Sequence, residues 1–149
     1  MTTVIHRTGD LFTSDAPAIG HGVNVDPGVM GSGIAVLFRD RFPGMHAAYK
    51  VLCGRKVFPV GTTMIWDGEP AGPIIYNIAS QDKPGRNARI DWLESAVKAA
   101  LIDADQRGLD RIALPRIGCG IGGLDWADVE PTLERLAGEH TADLEIWTL

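Results

Sequence analysis

Hydrophobic residues along the chain follow two patterns: short apolar runs, and longer stretches in which apolar positions recur every three or four residues. The short runs are partly β-branched and are bounded by Gly, Asp and Pro, which is typical of strands. The recurring stretches are typical of amphipathic helices. The runs predict strands over residues 3–6, 18–25, 62–66, 73–79, 111–116 and 144–149, and the stretches predict helices over residues 33–50, 88–107 and 126–136.

Cap and turn residues mark the ends of these predicted helices. Pro43-Gly44 interrupts the first helix, because proline lacks the amide N–H that a helix interior needs. Gly108 follows the second helix as a typical C-terminal stop, and Asp125 occupies the N-cap position of the third. Strands that alternate with helices indicate an α/β fold with helices on both faces of a largely parallel sheet. In such folds ligands bind at the carboxyl ends of the strands.

Composition narrows the class of protein. The 149 residues predict a single domain over residues 1–149, and a content of 45% hydrophobic and 22% charged residues excludes intrinsic disorder. A net charge of −5 argues against binding of duplex nucleic acid through a basic surface. The N-terminus lacks the apolar core of a secretory signal, and no apolar run approaches the roughly 20 residues of a membrane span. We therefore expect a soluble, cytoplasmic monomer that makes no contact with a membrane.

Cysteine and histidine offer no metal site. Cys53 and Cys119 lie far apart in sequence, which excludes a disulfide framework and a zinc site built from cysteine pairs. The four histidines lack the spacing of metal ligands, so neither a metal nor a cofactor is expected. We expect the cysteines to be free thiols, His21 to be a packed strand residue, and the four tryptophans to lie in the core.

Glycine is concentrated in two segments. The first glycine loop, residues 28–33, follows a predicted strand and opens a predicted helix. The second glycine loop, residues 118–123, also follows a predicted strand and precedes a predicted helix, so both are expected to place bare N–H groups at a helix N-terminus. Backbone N–H groups at a helix start bind phosphate oxygens without any Lys or Arg, and the helix dipole favours the anion. Two such loops could hold a diphosphate from two sides, although tight strand-to-helix turns without a ligand also use glycine.

Four motifs occur in a fixed order along the chain: Gly9-Asp10-Leu11-Phe12, Gly31-Ser32-Gly33-Ile34-Ala35, Tyr76-Asn77-Ile78 and Leu114-Pro115-Arg116-Ile117-Gly118-Cys119-Gly120. With these motifs the chain resembles the macrodomain family over about residues 8–149. The resemblance is strongest to the branch of the human terminal ADP-ribose protein glycohydrolase and its bacterial relatives, whose last strand is similar to Trp147-Thr148-Leu149. It implies a three-layer α/β/α sandwich with a mixed, largely parallel sheet that binds ADP-ribose in a cleft at the strand ends.

The resemblance also implies a role for individual residues. Asp10 is expected to accept a hydrogen bond from the adenine amino group, with Leu11 beside it and Leu149 over the adenine face, although Asp10 could instead serve as a helix or turn cap. The distal ribose and one phosphate are expected to be wrapped by Gly31, Ser32, Gly33, Ile34 and Ala35. The other side of the diphosphate is expected to be held by Ile117, Gly118, Cys119, Gly120, Ile121, Gly122 and Gly123.

Two positions depart from the pattern of that branch. A lysine nucleophile is expected after the strand that contains Tyr76, and Gln81 stands there. A catalytic aspartate is expected in the second glycine loop, and Gly122 stands there. Lys83 and Asp125 are near in sequence, but Lys83 would need a loop shift and Asp125 fits the N-cap of the next helix.

We therefore expect a hydrolase that removes mono-ADP-ribose from acidic side chains of modified proteins through a positioned water. A substrate phosphate oxygen would activate that water, Asn24 would orient the distal ribose, Asp26 would be an acid or base, and the small residue Gly122 would let the loop admit the substrate. Nucleic acid is expected only as an ADP-ribosylated substrate. The alternatives are a non-catalytic ADP-ribose reader and a phosphatase that acts on ADP-ribose-1″-phosphate.

Overall fold

A computed structural model describes residues 4–149 of the chain, and the described part contains six strands and four α-helices. A 3-10 helix, Leu11–Thr13, precedes the second strand. In chain order the elements are β1 (Val4–Thr8), β2 (Ala18–Val23), α1 (Ile34–Arg41), α2 (Pro43–Gly54), β3 (Thr63–Trp66), β4 (Ile74–Ala79), α3 (Ile90–Arg107), β5 (Arg111–Pro115), α4 (Trp126–Gly138) and β6 (Asp143–Thr148).

The strands form one sheet in the order β1-β6-β5-β2-β4-β3. Every neighbouring pair is parallel except β3 with β4, which is antiparallel. The prediction of a mixed, largely parallel sheet is therefore confirmed. The carboxyl ends of β6, β5, β2 and β4 lie along the same edge of the sheet, because these strands run in the same direction.

A hydrophobic core covers each face of the sheet, and alternate residues of β4 show the division. Tyr76 and Ile78 belong to the core under α3 and α4. Ile75 and Ala79 belong to the core under α1 and α2. Successive side chains of a strand point to opposite faces, so β4 is buried on both sides and is mostly apolar, with the buried Asn77 as its polar exception.

The helix and strand limits follow the sequence pattern, with physical reasons for the differences. Gly108 has a φ of 72°, the left-handed conformation expected after α3, and Asp125 accepts a hydrogen bond from the amide of Ala127 at the start of α4. The strand predicted over residues 18–25 ends at Val23, because the Val25 amide donates to the carbonyl of Asp82 in the loop after β4. Residue 3 of the first predicted strand lies outside the described residues.

No helix in the described part of the chain is long and apolar enough to span a bilayer.

Candidate functional site

A cleft lies at the carboxyl ends of the parallel strands and consists of two adjoining cavities. The smaller cavity, of about 340 Å³, lies between the loops that follow β2, β4 and β5. The larger cavity, of about 890 Å³, extends toward the 3-10 helix and the end of β6. Both cavities are lined by Gly33, Ile34, Pro115, Arg116 and Gly120.

The first glycine loop leads directly into α1. Gly33 is the N-cap of α1, has a φ of 61°, and offers no side chain to cap the first amides of the helix. Within residues 4–149 the amides of Gly31 and Ser32 have no acceptor either. Because the first amides of any helix lack an intrahelical partner, the start of α1 presents a set of free N–H donors to the cleft.

The second glycine loop presents N–H donors in a different way. The amides of Gly120, Ile121 and Gly122 have no acceptor in the described part of the chain. The helix after this loop begins only at Trp126, however, and the Asp125 carboxylate caps it. The helix starts where the sequence predicts it, but the amides of the loop do not lie at the helix N-terminus as expected, and its donors are those of an irregular turn.

The two glycine loops meet across the cleft. A Cβ built on Gly33 would lie 3.4 Å from Cδ1 of Ile121, although a φ of 61° disfavours any side chain there. Both loops also line the smaller cavity. The structure thus brings together the two sets of donors that the sequence predicted on opposite sides of one anion.

The smaller cavity carries few groups that could exchange a proton. Its polar side chains are those of Asn24, Ser32, Ser80, Gln81 and Arg116, and among the residues that line it only Arg116 is ionisable. An Arg guanidinium remains protonated in proteins. A reaction in this cavity therefore cannot rely on a lining carboxylate, imidazole, amine or thiol as acid, base or nucleophile.

Asn24 lines the smaller cavity and holds the loop after β2 in place through two hydrogen bonds to Val29. Its Oδ1 accepts from the Val29 amide at 2.8 Å, and its Nδ2 donates to the Val29 carbonyl at 2.9 Å. The hydroxyl of Tyr49 donates to the Asn24 carbonyl at 2.6 Å. An amide nitrogen carries two hydrogens, so Nδ2 retains one donor for a ligand.

Asp26 does not line the smaller cavity. It is exposed, and its Oδ2 lies 2.8 Å from Nζ of Lys83, which joins the loop after β2 to the loop after β4. The hydrogen bond from Lys83 lowers the pKa of Asp26, and the same contact raises the pKa of Lys83. An ionised carboxylate of low pKa is a poor general acid.

Gln81 and Gly122 line the smaller cavity side by side. The Gln81 amide donates to the carbonyl of Lys83 at 2.7 Å and to that of Gly85 at 3.0 Å, so its side chain shapes the loop after β4. A Cβ on Gly122 would lie 2.8 Å from Cβ of Ala88 and 3.0 Å from Oε1 of Gln81. The lack of space, in addition to the lack of a carboxylate, distinguishes position 122 from a catalytic aspartate.

The larger cavity collects the residues that the resemblance assigns to adenine. Asp10 and Leu11 line it at the start of the 3-10 helix, and Leu149 lines it at the end of the chain. Oδ1 of Asp10 accepts from the Phe12 amide at 3.0 Å, so this carboxylate is an N-cap that keeps Oδ2 available. Burial raises the pKa of the Cys119 thiol to about 11, so this lining residue is not a thiolate nucleophile at neutral pH.

Arg116, Trp126 and Trp147 are site residues that the sequence reasoning missed. Both tryptophans pack against the hydrophobic core, as expected, but they are only partly buried and also line the larger cavity. The Arg116 guanidinium lies 4.9 Å from the centre of the Trp126 ring, an arrangement that holds a cation over an aromatic face. The position of Arg116 directly after β5, at the predicted ligand edge, was the signal that could have identified it.

His21 is a packed residue, as expected, and not part of the cleft wall. Its ring stacks on Phe38 with 3.8 Å between centroids, and its Nε2 lies 2.7 Å from Oδ1 of Asn77. The Nδ1 atom is buried without a partner among the described residues. Burial lowers the pKa of His21 to about 4, so the ring is neutral at physiological pH. The residues of the described part form no group of three or more His, Cys, Asp or Glu that could hold a metal.

Comparison with known families and proteins shows similarity to the Macro domain family and to proteins named as ADP-ribosyl or ADP-ribose glycohydrolases. The family model described as Macro domain matches residues 21–133. The DNA ADP-ribosyl glycohydrolase of Mycobacterium tuberculosis is 32% identical over 132 residues, which is 87% of this chain and 37% of that protein. The human ADP-ribose glycohydrolase OARD1 is 26% identical over 147 residues, which is 98% of this chain and 91% of that protein.

Solved structures show the same architecture. The macrodomain of Mycobacterium tuberculosis DarG superposes with a TM-score of 0.89 at 28% identity and covers 100% of this chain and 99% of that one. The chain spans 37% of the length of the first curated relatives that it matches. The similarity to those proteins therefore concerns one part of them.

Proposed function

The chain belongs to the Macro domain family, and we propose that it binds ADP-ribose in the cleft and hydrolyses the bond between the distal ribose and a macromolecular target. The diphosphate lies between the two glycine loops. The distal ribose occupies the smaller cavity, and the adenosine occupies the larger one. ADP-ribose is the ligand of the proposal because its diphosphate joins a ribose on one side to an adenosine on the other. The ribose matches the smaller cavity, and the adenosine matches the larger one.

The approach of the two glycine loops is the observation that carries this proposal. Gly33, which lines both cavities, approaches Ile121 of the second glycine loop, and both loops contain amides without an acceptor among the described residues. Backbone donors and a helix start bind a diphosphate without a basic side chain. This accounts for anion binding by a chain of net charge −5.

The proposed chemistry is attack by water on C1″ of the distal ribose. The glycosidic bond of an ADP-ribosyl ester breaks with departure of a carboxylate, which needs little protonation, so a positioned water and stabilisation of the oxocarbenium-like sugar are sufficient. A phosphate oxygen of the substrate takes the proton from that water. Asn24 holds the ribose through its remaining Nδ2 hydrogen. Asp26 assists only from the rim, because it is exposed, paired with Lys83, and not among the residues that line the cavity.

The target in this proposal is an acidic side chain of a mono-ADP-ribosylated protein, and an ADP-ribosylated nucleobase is the other target to be compared with it. The names of two relatives, DNA ADP-ribosyl glycohydrolase and ADP-ribose glycohydrolase, support cleavage of an ADP-ribosyl bond. We also propose that the chain belongs to the branch of the human terminal ADP-ribose protein glycohydrolase. The protein acts in this proposal as a monomer in the cytoplasm, where free thiols such as Cys53 remain reduced.

The test uses three substrates: a glutamate-linked mono-ADP-ribosylated protein, an oligonucleotide with an ADP-ribosylated base, and ADP-ribose-1″-phosphate. We expect repeated turnover with release of ADP-ribose from the protein substrate. Release only from the oligonucleotide would move the target to DNA, and release of phosphate alone would make the protein a phosphatase. A failure to bind ADP-ribose in calorimetry would overturn the whole proposal.

Variants separate a water-based route from a lysine nucleophile. Lys83→Ala is expected to retain the wild-type rate within about threefold, because no covalent adduct forms on that amine. Asn24→Ala is expected to reduce kcat by about a hundredfold through loss of a positioned donor. Lys50→Ala is the matched control, since it removes the hydrogen bond from Nζ to the Gly28 carbonyl in the same loop and leaves every hydrogen bond of Asn24 in place.

A non-catalytic ADP-ribose reader is the second candidate, and one observation favours it. Gln81 and Gly122 stand at the positions of the lysine and aspartate that the resemblance predicts, and neither can act as nucleophile or acid. A reader would bind ADP-ribose with micromolar affinity and release no label at stoichiometric protein. The same assay therefore separates the two functions.

A further inference from the structure

Glu145 on β6 is a carboxylate buried to 1% exposure, outside the lining of both cavities. Its Oε1 accepts from the Ser14 hydroxyl at 2.7 Å and from the indole N–H of Trp147 at 2.9 Å. Its Oε2 accepts from the Arg111 guanidinium at 2.7 Å. Three donors from three segments of the chain thus converge on one carboxylate.

The two donors on Oε1 both connect to the wall of the larger cavity. Trp147 lines that cavity directly. Ser14 does not line it, but Ser14 follows the 3-10 helix that begins at Asp10 and Leu11, which do, and its amide donates to the Leu11 carbonyl at 3.0 Å. A single oxygen atom therefore connects the indole ring with the end of this 3-10 helix.

A buried charge at this position requires a reason beyond stability. Removing a carboxylate from water is costly, and an apolar side chain of similar volume is often at least as stabilising. Here the hydrogen bonds from Ser14, Trp147 and Arg111 offset the effect of burial, and the pKa of Glu145 lies below its ordinary value. Arg111 also pairs with the exposed Asp15 at 2.7 Å, which anchors the same segment from outside.

We infer that Glu145 is a positioning residue for the larger cavity: it fixes the Trp147 indole and the Asp10–Leu11 turn at the separation that the adenosine half of the ligand requires. The inference rests on the proposed function, because that function places adenosine in this cavity. Glutamine cannot replace the carboxylate, since its NH₂ group would face either the Arg111 guanidinium or the Ser14 and Trp147 donors.

The experiment compares Glu145→Gln with wild type and with Asp15→Ala. Asp15→Ala is the matched control, because it removes the exposed partner of Arg111 and leaves all three bonds to Glu145. We expect Glu145→Gln to raise the Kd for ADP-ribose and the KM for hydrolysis by about tenfold with kcat unchanged. We expect Asp15→Ala to stay within about twofold of wild type.

A spectroscopic signal provides a readout that needs no ligand. Subtracting the near-UV circular dichroism spectrum of Trp147→Phe from that of wild type isolates the band of Trp147, and Glu145→Gln should weaken this band. A persistent band, or an ADP-ribose affinity equal to wild type, would overturn the inference. If Glu145→Gln does not fold, Ser14→Ala removes the hydrogen bond to Glu145 together with the one that Ser14 Oγ accepts from the Ala16 amide. This variant should raise the Kd about threefold, and an unchanged Kd would overturn the inference.

The two proposals fail in different ways. Wild-type protein that does not bind ADP-ribose would defeat the proposed function. Wild-type binding that Glu145→Gln leaves intact would defeat the inference about Glu145 alone.

Discussion

Gln81 and Gly122 contact each other at the wall of the smaller cavity, where Oε1 of Gln81 lies 3.0 Å from the point that a Cβ on residue 122 would occupy. These are the two positions at which the resemblance predicts a lysine and an aspartate. Their identities fit each other, because the missing side chain at 122 leaves room for Gln81 and for Ala88. A larger side chain at position 122 would therefore have to displace Gln81 or Ala88.

This packing predicts that Gly122→Ala destabilises the protein. The new Cβ would meet Cβ of Ala88 and the carbonyl of Gly118, both at 2.8 Å, and we expect a loss of about 1–3 kcal/mol in the free energy of unfolding. Urea denaturation measures this loss. Gly120→Ala is the control, since a Cβ on Gly120 meets nothing within 4 Å. Equal stability of the two variants would contradict the prediction.

The pH dependence of hydrolysis tests whether a titrating side chain of the smaller cavity takes part in catalysis. Among these residues only Arg116 is charged, and a guanidinium does not titrate in the working range. The profile of kcat between pH 5.5 and 8.5 should therefore be flat within about threefold, in contrast to the bell shape that a protein acid and base produce. A steep limb in this range would identify a titrating group, and its loss in Asp26→Asn would assign it to Asp26.

Asp10 should contribute to affinity through the oxygen that the turn leaves free. Oδ1 caps the 3-10 helix at the Phe12 amide, and Oδ2 is available for the adenine amino group. Asp10→Ala should weaken ADP-ribose binding by about tenfold or more, since a charge-assisted hydrogen bond contributes roughly 1.5–3 kcal/mol. Asp10→Asn keeps an oxygen for the cap and separates the two roles. Unchanged calorimetric affinity in Asp10→Ala would show that the adenine assignment is wrong.

His21 should make the fold sensitive to mild acid. Burial lowers its pKa to about 4, whereas the unfolded chain takes up this proton near pH 6.5. Stability is therefore complete above pH 6.5 and falls as the pH drops toward 4. At pH 5 the expected loss is about 2 kcal/mol.

Two measurements test this expectation. The ring resonances of His21 should show no titration between pH 5.5 and 8 by NMR. The difference in unfolding free energy between pH 7 and pH 5 should be smaller in His21→Asn than in wild type. A His21 pKa near 6.5, or equal differences in the two proteins, would contradict the assignment.

The sequence predicted the order and type of the elements well, because the physics behind them is local. The apolar stripe of α3 and its end at Gly108 are both determined by residues of one continuous stretch of the chain. The glycine loops were found for the same reason. The close approach of Gly33 to Ile121 could not be predicted, since it depends on β2 and β5 being neighbours in the sheet.

Long-range contacts set surroundings that the sequence could not predict. The Asp26 carboxylate is paired with Lys83, which comes from the loop after β4. Trp147 packs against the core, as is usual for tryptophan, but it also lines the larger cavity beside the 3-10 helix. Both arrangements bring together segments that are distant in sequence.

The free amides of the two glycine loops belong to the main chain, and side-chain substitution cannot delete them. An alanine scan of the cleft would therefore pass over the groups that are proposed to hold the diphosphate, and most of these positions would be recorded as tolerant. Relatives could vary the side chains at Ser32 and Ile121 freely while the anion site persists. Proline in place of a donor residue is the exception, because it removes the amide N–H itself and would reveal the site.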